Sequence, residues 1–337
     1  MKKLLNTLYV TSEGAWMHKD GANVVVEVEG QERGRAPLHL LGAIICFGQV
    51  GVSPHLMFAC AEAGVSITFL GYTGRFLARV EGPTSGNVLL RRAQHVRSLS
   101  DQMPVARAMV AAKIVGQRGV LRRHMRDHGD TDGVLAEVEP RLSRAARLAL
   151  DAADGDALRG YEGEAANAYL GVFSRLIRVP DMGFNGRSRR PPLDPVNAVL
   201  SFLYVLLAAD CRAALESVGL DPQMGFLHGD RPGRPSLALD LMEEFRAPLA
   251  DRVCLSLINR KQLRPKDFHH EETGAVFLSD EARKTVLAAW QARKRVTMRH
   301  VFVDETLPLG LFPHVQAQLL ARHLRGDLDG YPAFIWK

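Results

Sequence analysis

Gly82-Pro-Thr-Ser-Gly86, followed by Asn87-Val-Leu-Leu-Arg-Arg-Ala-Gln-His-Val-Arg-Ser-Leu99, is the point at which the spacing of apolar residues changes. Before it, apolar side chains alternate with polar ones or run in short β-branched bursts. After it they recur at helical intervals. Val88, Leu89, Ala93, Val96 and Leu99 form one predicted buried stripe, with Arg91, Arg92 and Arg97 off it. The composition of 82–86 suits a linker. The fold class is therefore α+β: an N-terminal mostly-β domain over 1–82, then a larger all-α C-terminal domain over 83–337.

Upstream of the switch, strands are predicted at 5–10, 43–47 and 65–70. A hairpin is predicted from 15–18 and 23–28, because Asp20-Gly21 suits the positive φ of a tight turn. Residues 54–63 form a short helix closed by Gly64, and 72–80 return to alternation. Downstream, the period predicts helices near 103–117, 119–127, 134–152, 162–177, 195–218, 236–260, 279–296 and 310–325. Residues 178–195 interrupt them with four prolines, two glycines and the basic cluster Arg187-Ser-Arg-Arg190, and are expected to be an exposed, mobile loop.

The 337 residues suffice for two domains with cores of ordinary size, and 47% apolar with 24% charged residues argues against disorder. A formal charge of +6 favours an anionic partner, without separating nucleic acid from a membrane surface. Cys46, Cys60, Cys211 and Cys254 are far apart among apolar neighbours, with no Cys-x-x-Cys, so buried reduced thiols are expected. The N-terminus meets Thr11, Ser12 and Glu13 too early for a signal peptide, and the apolar run 198–210 is too short to span a bilayer. A cytoplasmic protein without membrane contact is the expectation.

Three polar clusters stand inside the apolar helical half. Glu162 begins a stripe continued by Ala166, Tyr169 and Phe173, and a carboxylate on a buried face needs a cation, a metal or several donors. The alternative is a helix-start glutamate favoured by the macrodipole. His228 lies in the turn-rich stretch Met224-Gly-Phe-Leu-His-Gly-Asp-Arg-Pro-Gly233 between two helices, where a surface histidine is the plainer reading. Asp240 and Glu243 share a helix face at the edge of the stripe Ala238, Met242, Phe245 and Leu249; their repulsion would be relieved by a cation, or by Arg246 on a solvated face. Carboxylate, imidazole and carboxylate together suit Mg²⁺ or Mn²⁺.

At these residues the chain resembles the CRISPR-associated (Cas) spacer-acquisition integrase/endonuclease family, the universal first protein of CRISPR adaptation modules, in its type I style. The matching segments are Glu162-Gly-Glu-Ala-Ala-Asn-Ala-Tyr169, Gly225-Phe-Leu-His228 and Leu237-Ala-Leu-Asp-Leu-Met-Glu243. Gly74-Arg-Phe76, Gly86-Asn-Val-Leu-Leu-Arg-Arg-Ala-Gln94, Asp194-Pro-Val-Asn-Ala198 and Ser201-Phe-Leu-Tyr204 look similar too. The resemblance implies an N-terminal β domain that dimerises and a helical catalytic domain. It assigns Glu162, His228 and Glu243 as metal ligands, Asp240 as a catalytic acid supporting them, and Arg246 as a nucleic-acid contact. Some relatives carry Asp where this chain has Glu243.

The implied reaction is metal-dependent phosphodiester transesterification, inserting spacer DNA at the leader–repeat end of a CRISPR array; with water as nucleophile it becomes cleavage. Implied partners are double-stranded DNA, a second copy of the chain, and a small ferredoxin-like CRISPR protein completing a heterohexamer. Further DNA contacts are expected at Arg187, Arg189 and Arg190, and at Arg260, Lys261, Arg264 and Lys266, which are basic runs in loops or at helix ends. The rival readings are a non-catalytic helical nucleic-acid-binding protein, whose acids merely satisfy buried arginines, and a metal hydrolase acting on small phosphates.

Overall fold

A computed structural model of the protein describes residues 6–71, 75–83 and 87–336. Leu5, residues 72–74 of the expected alternation, and 84–86 of the linker lie outside the described residues, as do Gly74 and Gly86 of the family-like segments. Two compact units divide at Met1–Gly86 and Asn87–Lys337, against an expected line after residue 82.

The first unit holds β1 (Asn6–Val10), β2 (Trp16–Asp20), β3 (Asn23–Val28), β4 (Gln31–Pro37), β5 (Leu41–Phe47), β6 (Gly51–Val52), α1 (Pro54–Glu62), β7 (Ser66–Leu70) and β8 (Phe76–Val80). Its strands form two four-stranded sheets, ordered β1-β5-β7-β8 and β4-β3-β2-β6. Because β5 and β7 pair in parallel, their connection must cross over, and α1 makes the crossing. Met17, Val24, Ile44, Leu56 and Ile67 fill the core. The β2–β3 turn places Gly21 at φ 55°, where glycine carries no steric penalty. Strand β4 falls outside the expected strands: Gln31-Glu-Arg-Gly-Arg-Ala-Pro37 has no alternation, because it is a charged, exposed edge strand.

The second unit contains α2 (Val88–Ser100), α3 (Met103–His128), α4 (Val134–Leu150), α5 (Gly155–Gly171), α6 (Pro195–Ser217), α7 (Ser236–Glu243), α8 (Arg252–Asn259), α9 (Asp280–Arg295) and α10 (Phe312–Arg325). Two small hairpins interrupt them: β9 (Phe268–His270) with β10 (Val276–Leu278), and β11 (Thr297–His300) with β12 (Glu305–Pro308).

The structure departs from six expectations. Helix α2 buries Leu90 and Gln94 and leaves Val88, Leu89, Val96 and Leu99 exposed, because Gln94 is held inward by the carbonyls of Asp221 and Met224. The predicted helices at 103–117 and 119–127 are one helix. Gly116 and Gly119 do not break it; they admit Ala247 with Pro248 and the ring of Trp336. Helix α5 starts at Gly155, capped by Asp154, so Glu162 is interior and no helix-start residue. The 236–260 helix is split by a π-helical segment, Arg246–Asp251, around Pro248. Finally, the 178–195 loop is tied down: Met182 and Phe184 are buried, and Asn197 and Ser201 hold Arg187. By length and composition α6 could cross a membrane, contrary to the shorter run counted in sequence; Val199, Leu203, Leu206 and Leu207 are buried within the unit.

Candidate active site

Asp240 and Glu243 are expected at the edge of an apolar stripe; both prove buried, 0% and 2% exposed. Asp240 accepts hydrogen bonds from the backbone N–H groups of Phe226 at 2.6 Å, Leu227 at 3.0 Å and His228 at 3.0 Å, and faces His228 Nδ1 at 2.5 Å. Its carboxylate thus gathers the 226–228 turn and grips one ring nitrogen, so Nε2 is the nitrogen outside this contact. Gly225 permits the turn: a Cβ there would lie 2.8 Å from the Ser236 side chain and 2.9 Å from Asp240 Oδ2. With its oxygens committed this way, Asp240 positions His228 and is not itself placed to act on a substrate.

Glu162 of α5 and Glu243 of α7 converge on a residue the sequence reading did not single out. Lys113, on α3 and 7% exposed, pairs through Nζ with Glu162 Oε1 and lies 3.0 Å from Glu243 Oε2. Glu243 Oε2 accepts no well-directed hydrogen bond despite its burial. Its other oxygen is 3.0 Å from Arg246 Nη2. Burial pushes the Glu243 carboxyl up, but Arg246 and Lys113 outweigh it and hold it down at about 2.

Beside the acids lies a pocket of about 50 Å³ walled by Lys113, Glu162, Arg187, Tyr204, Arg246 and Asp251. The guanidinium groups of Arg187 and Arg246 lie over the Tyr204 ring, 5.3 and 5.0 Å from its centroid. Tyr204 and Tyr169 both donate to Asp251, at 2.7 and 2.9 Å. Burial drives the Asp251 carboxyl up to about 6, against those two donors. Arg187 and Arg246 each keep a buried Nε without a hydrogen-bond partner. Arg189 also lines the pocket, whereas Arg190, Arg260 and Lys261 are exposed and do not.

Among the described residues, no three His, Cys, Asp or Glu side chains stand close enough to form a metal shell as they lie. The donors nonetheless suit a divalent ion: two carboxylates aim at one cation, Glu243 Oε2 is under-satisfied, and Asp240 has oriented an imidazole. A larger hollow of about 440 Å³, between α3, α4 and residues 332–335, contains Arg118 and Arg147 but no carboxylate or histidine, and so has no such chemistry.

Lys113 has a signal in the sequence, standing alone in Ala108-Met-Val-Ala-Ala-Lys-Ile-Val115. Gln94, which pins the loop leading to His228, and Asp251 have none beyond single polar positions. All four cysteines are buried and free.

Residues 8–292 match the family described as CRISPR associated protein Cas1. A CRISPR-associated endonuclease Cas1 of Rhodospirillum rubrum is 58% identical over 346 residues, covering 100% of both chains. Among solved structures, a casposase bound to integration product superposes with a TM-score of 0.83 at 22% identity, covering 100% of this chain and 95% of that one. The fold is also similar to a Cas6-RT-Cas1–Cas2 complex, TM-score 0.82 at 24% identity, covering 100% of this chain and 36% of that one.

Proposed function

The chain belongs to the CRISPR-associated Cas1 family, and from that premise we propose that its helical unit performs metal-dependent strand transfer on DNA, inserting spacers into a CRISPR array. The observation that carries the reading is the convergence of Glu162 and Glu243 on one cation beside an arginine-walled pocket. Glu162, Glu243 and the Asp240-oriented His228 would hold Mg²⁺ or Mn²⁺, and an imidazole donor tilts the preference toward Mn²⁺. When bound, such an ion supplies Lewis-acid polarisation of a phosphoryl oxygen.

The chain's own residues do the rest. Arg246 and Arg187, held over the Tyr204 ring, offer fixed positive charge to a phosphate without reorganising. Asp251 anchors Tyr204 beneath them. In transfer, a DNA 3′-hydroxyl gives up its proton as its oxygen bonds to phosphorus, the bond from phosphorus to the leaving 3′-oxygen breaks, and the leaving oxygen takes up a proton. One phosphodiester replaces another, so no nucleotide energy source is needed.

Duplex DNA is the proposed substrate and partner, together with a second copy of the chain and a small ferredoxin-like CRISPR protein. A solved structure of this fold, named a Cas6-RT-Cas1–Cas2 complex, supports a Cas2 partner. The test is strand transfer and its reversal on branched DNA. Glu162→Ala, His228→Ala and Glu243→Ala should each lose at least ~100-fold with unchanged circular dichroism. Near-normal turnover by Glu162→Ala would remove that residue from the centre. A wholly non-catalytic DNA binder would show no metal-dependent turnover at all.

A further inference from the structure

The two carboxylates proposed as metal ligands are already neutralised by the protein. Glu162 and Glu243 carry two negative charges, and Lys113 and Arg246 answer with two positive ones. A divalent ion arriving alone would enter a largely buried site whose two carboxylates already have cationic partners, with Arg187 and Arg189 as well as Asp251 on its wall, and would meet strong like-charge repulsion from Lys113. We infer that Lys113 is a built-in counter-ion standing where Glu162 and Glu243 would grip the metal, and that an incoming DNA phosphate draws it away, so that metal and DNA bind cooperatively. This deepens the metal-site reading and rests on it.

Of the two cations, Lys113 is the one free to move. Arg246 is stacked on Tyr204 and paired with Glu243, and its planar fork fits that setting. Lysine carries a compact charge on a flexible four-carbon stem. A second resting place is ready: Gln117, one turn along α3, lines the same pocket, is 7% exposed, and its Oε1 has no hydrogen-bond partner. An ammonium leaving the carboxylates can donate to Gln117 Oε1 and to a phosphate oxygen held by Arg187 and Arg246. Without a phosphate, moving it strands a charge; with one, the charge is paired on both sides. By linkage, the factor by which DNA tightens metal binding equals the factor by which metal tightens DNA binding.

The experiment is Mn²⁺ binding to the full chain by calorimetry, with and without a short duplex DNA, subtracting a duplex-only blank. Wild-type protein should bind Mn²⁺ at least ~10-fold more tightly with duplex present. Lys113→Met without DNA should already bind at least ~10-fold more tightly than wild type, and duplex should then add less than ~3-fold. Lys113→Arg, which keeps the charge, should not show the DNA-free gain. Equal wild-type affinity with and without duplex overturns the inference, and needs no variant that folds. So does Lys113→Met binding no tighter than wild type. Glu243→Ala separates the two levels: unchanged Mn²⁺ binding by that variant would instead sink the metal site itself.

Discussion

Asp240 directs both oxygens inward, to three backbone N–H groups and one imidazole nitrogen, and so fixes the ring proposed to bind the metal. Asp240→Asn keeps the shape but places an amide donor among donors. Strand transfer is expected to fall ~10–100-fold, with Mn²⁺ affinity falling in parallel, as for other partners that orient metal-binding histidines. A turnover loss with unchanged Mn²⁺ affinity would give Asp240 some other role. In the sequence His228 stands out only through the family-like segment Gly225-Phe-Leu-His228, whereas Glu162, Asp240 and Glu243 each interrupt an apolar pattern. Lys113 interrupts one equally well but is easily passed over, since long lysine side chains ordinarily snorkel out to water. Here α5 and α7 supply carboxylates from 49 and 130 residues away, which no local pattern reveals.

The helices show where periodicity succeeds and where it fails. Asp154, Asp194 and Ser279 cap α5, α6 and α9 with side-chain acceptors, so those starts have local chemical causes. Gly116 and Gly119 look like breaks, yet their purpose is close approach, visible only once the C-terminal segment is placed against α3. Gly119→Val should push against the Trp336 ring, 3.0 Å from a Cβ, and cost about 1–3 kcal/mol in urea unfolding. Gly160→Ala, in open space on α5, should instead stabilise by about 0.5–1 kcal/mol. The π-helical turn at Arg246–Asp251 is equally hidden: Pro248 hints at a break, but the register that carries Arg246 and Asp251 to the pocket comes from packing against α3, α6 and α8. The division into strand-rich and helical parts is readable because it rests on period alone.

At the scale of the whole molecule, buried acids tie stability to pH. Burial drives the Glu244 carboxyl up to about 7, against donors from Tyr331, Phe334 and Gln316, whereas its ordinary value is 4.5. The folded chain then holds a proton that the unfolded chain releases. Its contribution is complete below about 4.5 and is lost as pH rises through 7. Wild-type stability should therefore fall more between pH 5 and pH 8 than that of Glu244→Gln, by a difference on the order of 3 kcal/mol at most, read from denaturant midpoints. A parallel pair of curves would mean that Glu244 stays ionised among its donors. The central claim, that distant parts of the helical unit converge on one divalent ion, is tested most directly by anomalous scattering from Mn²⁺-soaked crystals of the protein bound to duplex DNA. The expected result is one manganese peak ligated by Glu162, His228 and Glu243, with Lys113 withdrawn toward Gln117. Manganese bound elsewhere, with Lys113 still between the two carboxylates, would contradict it.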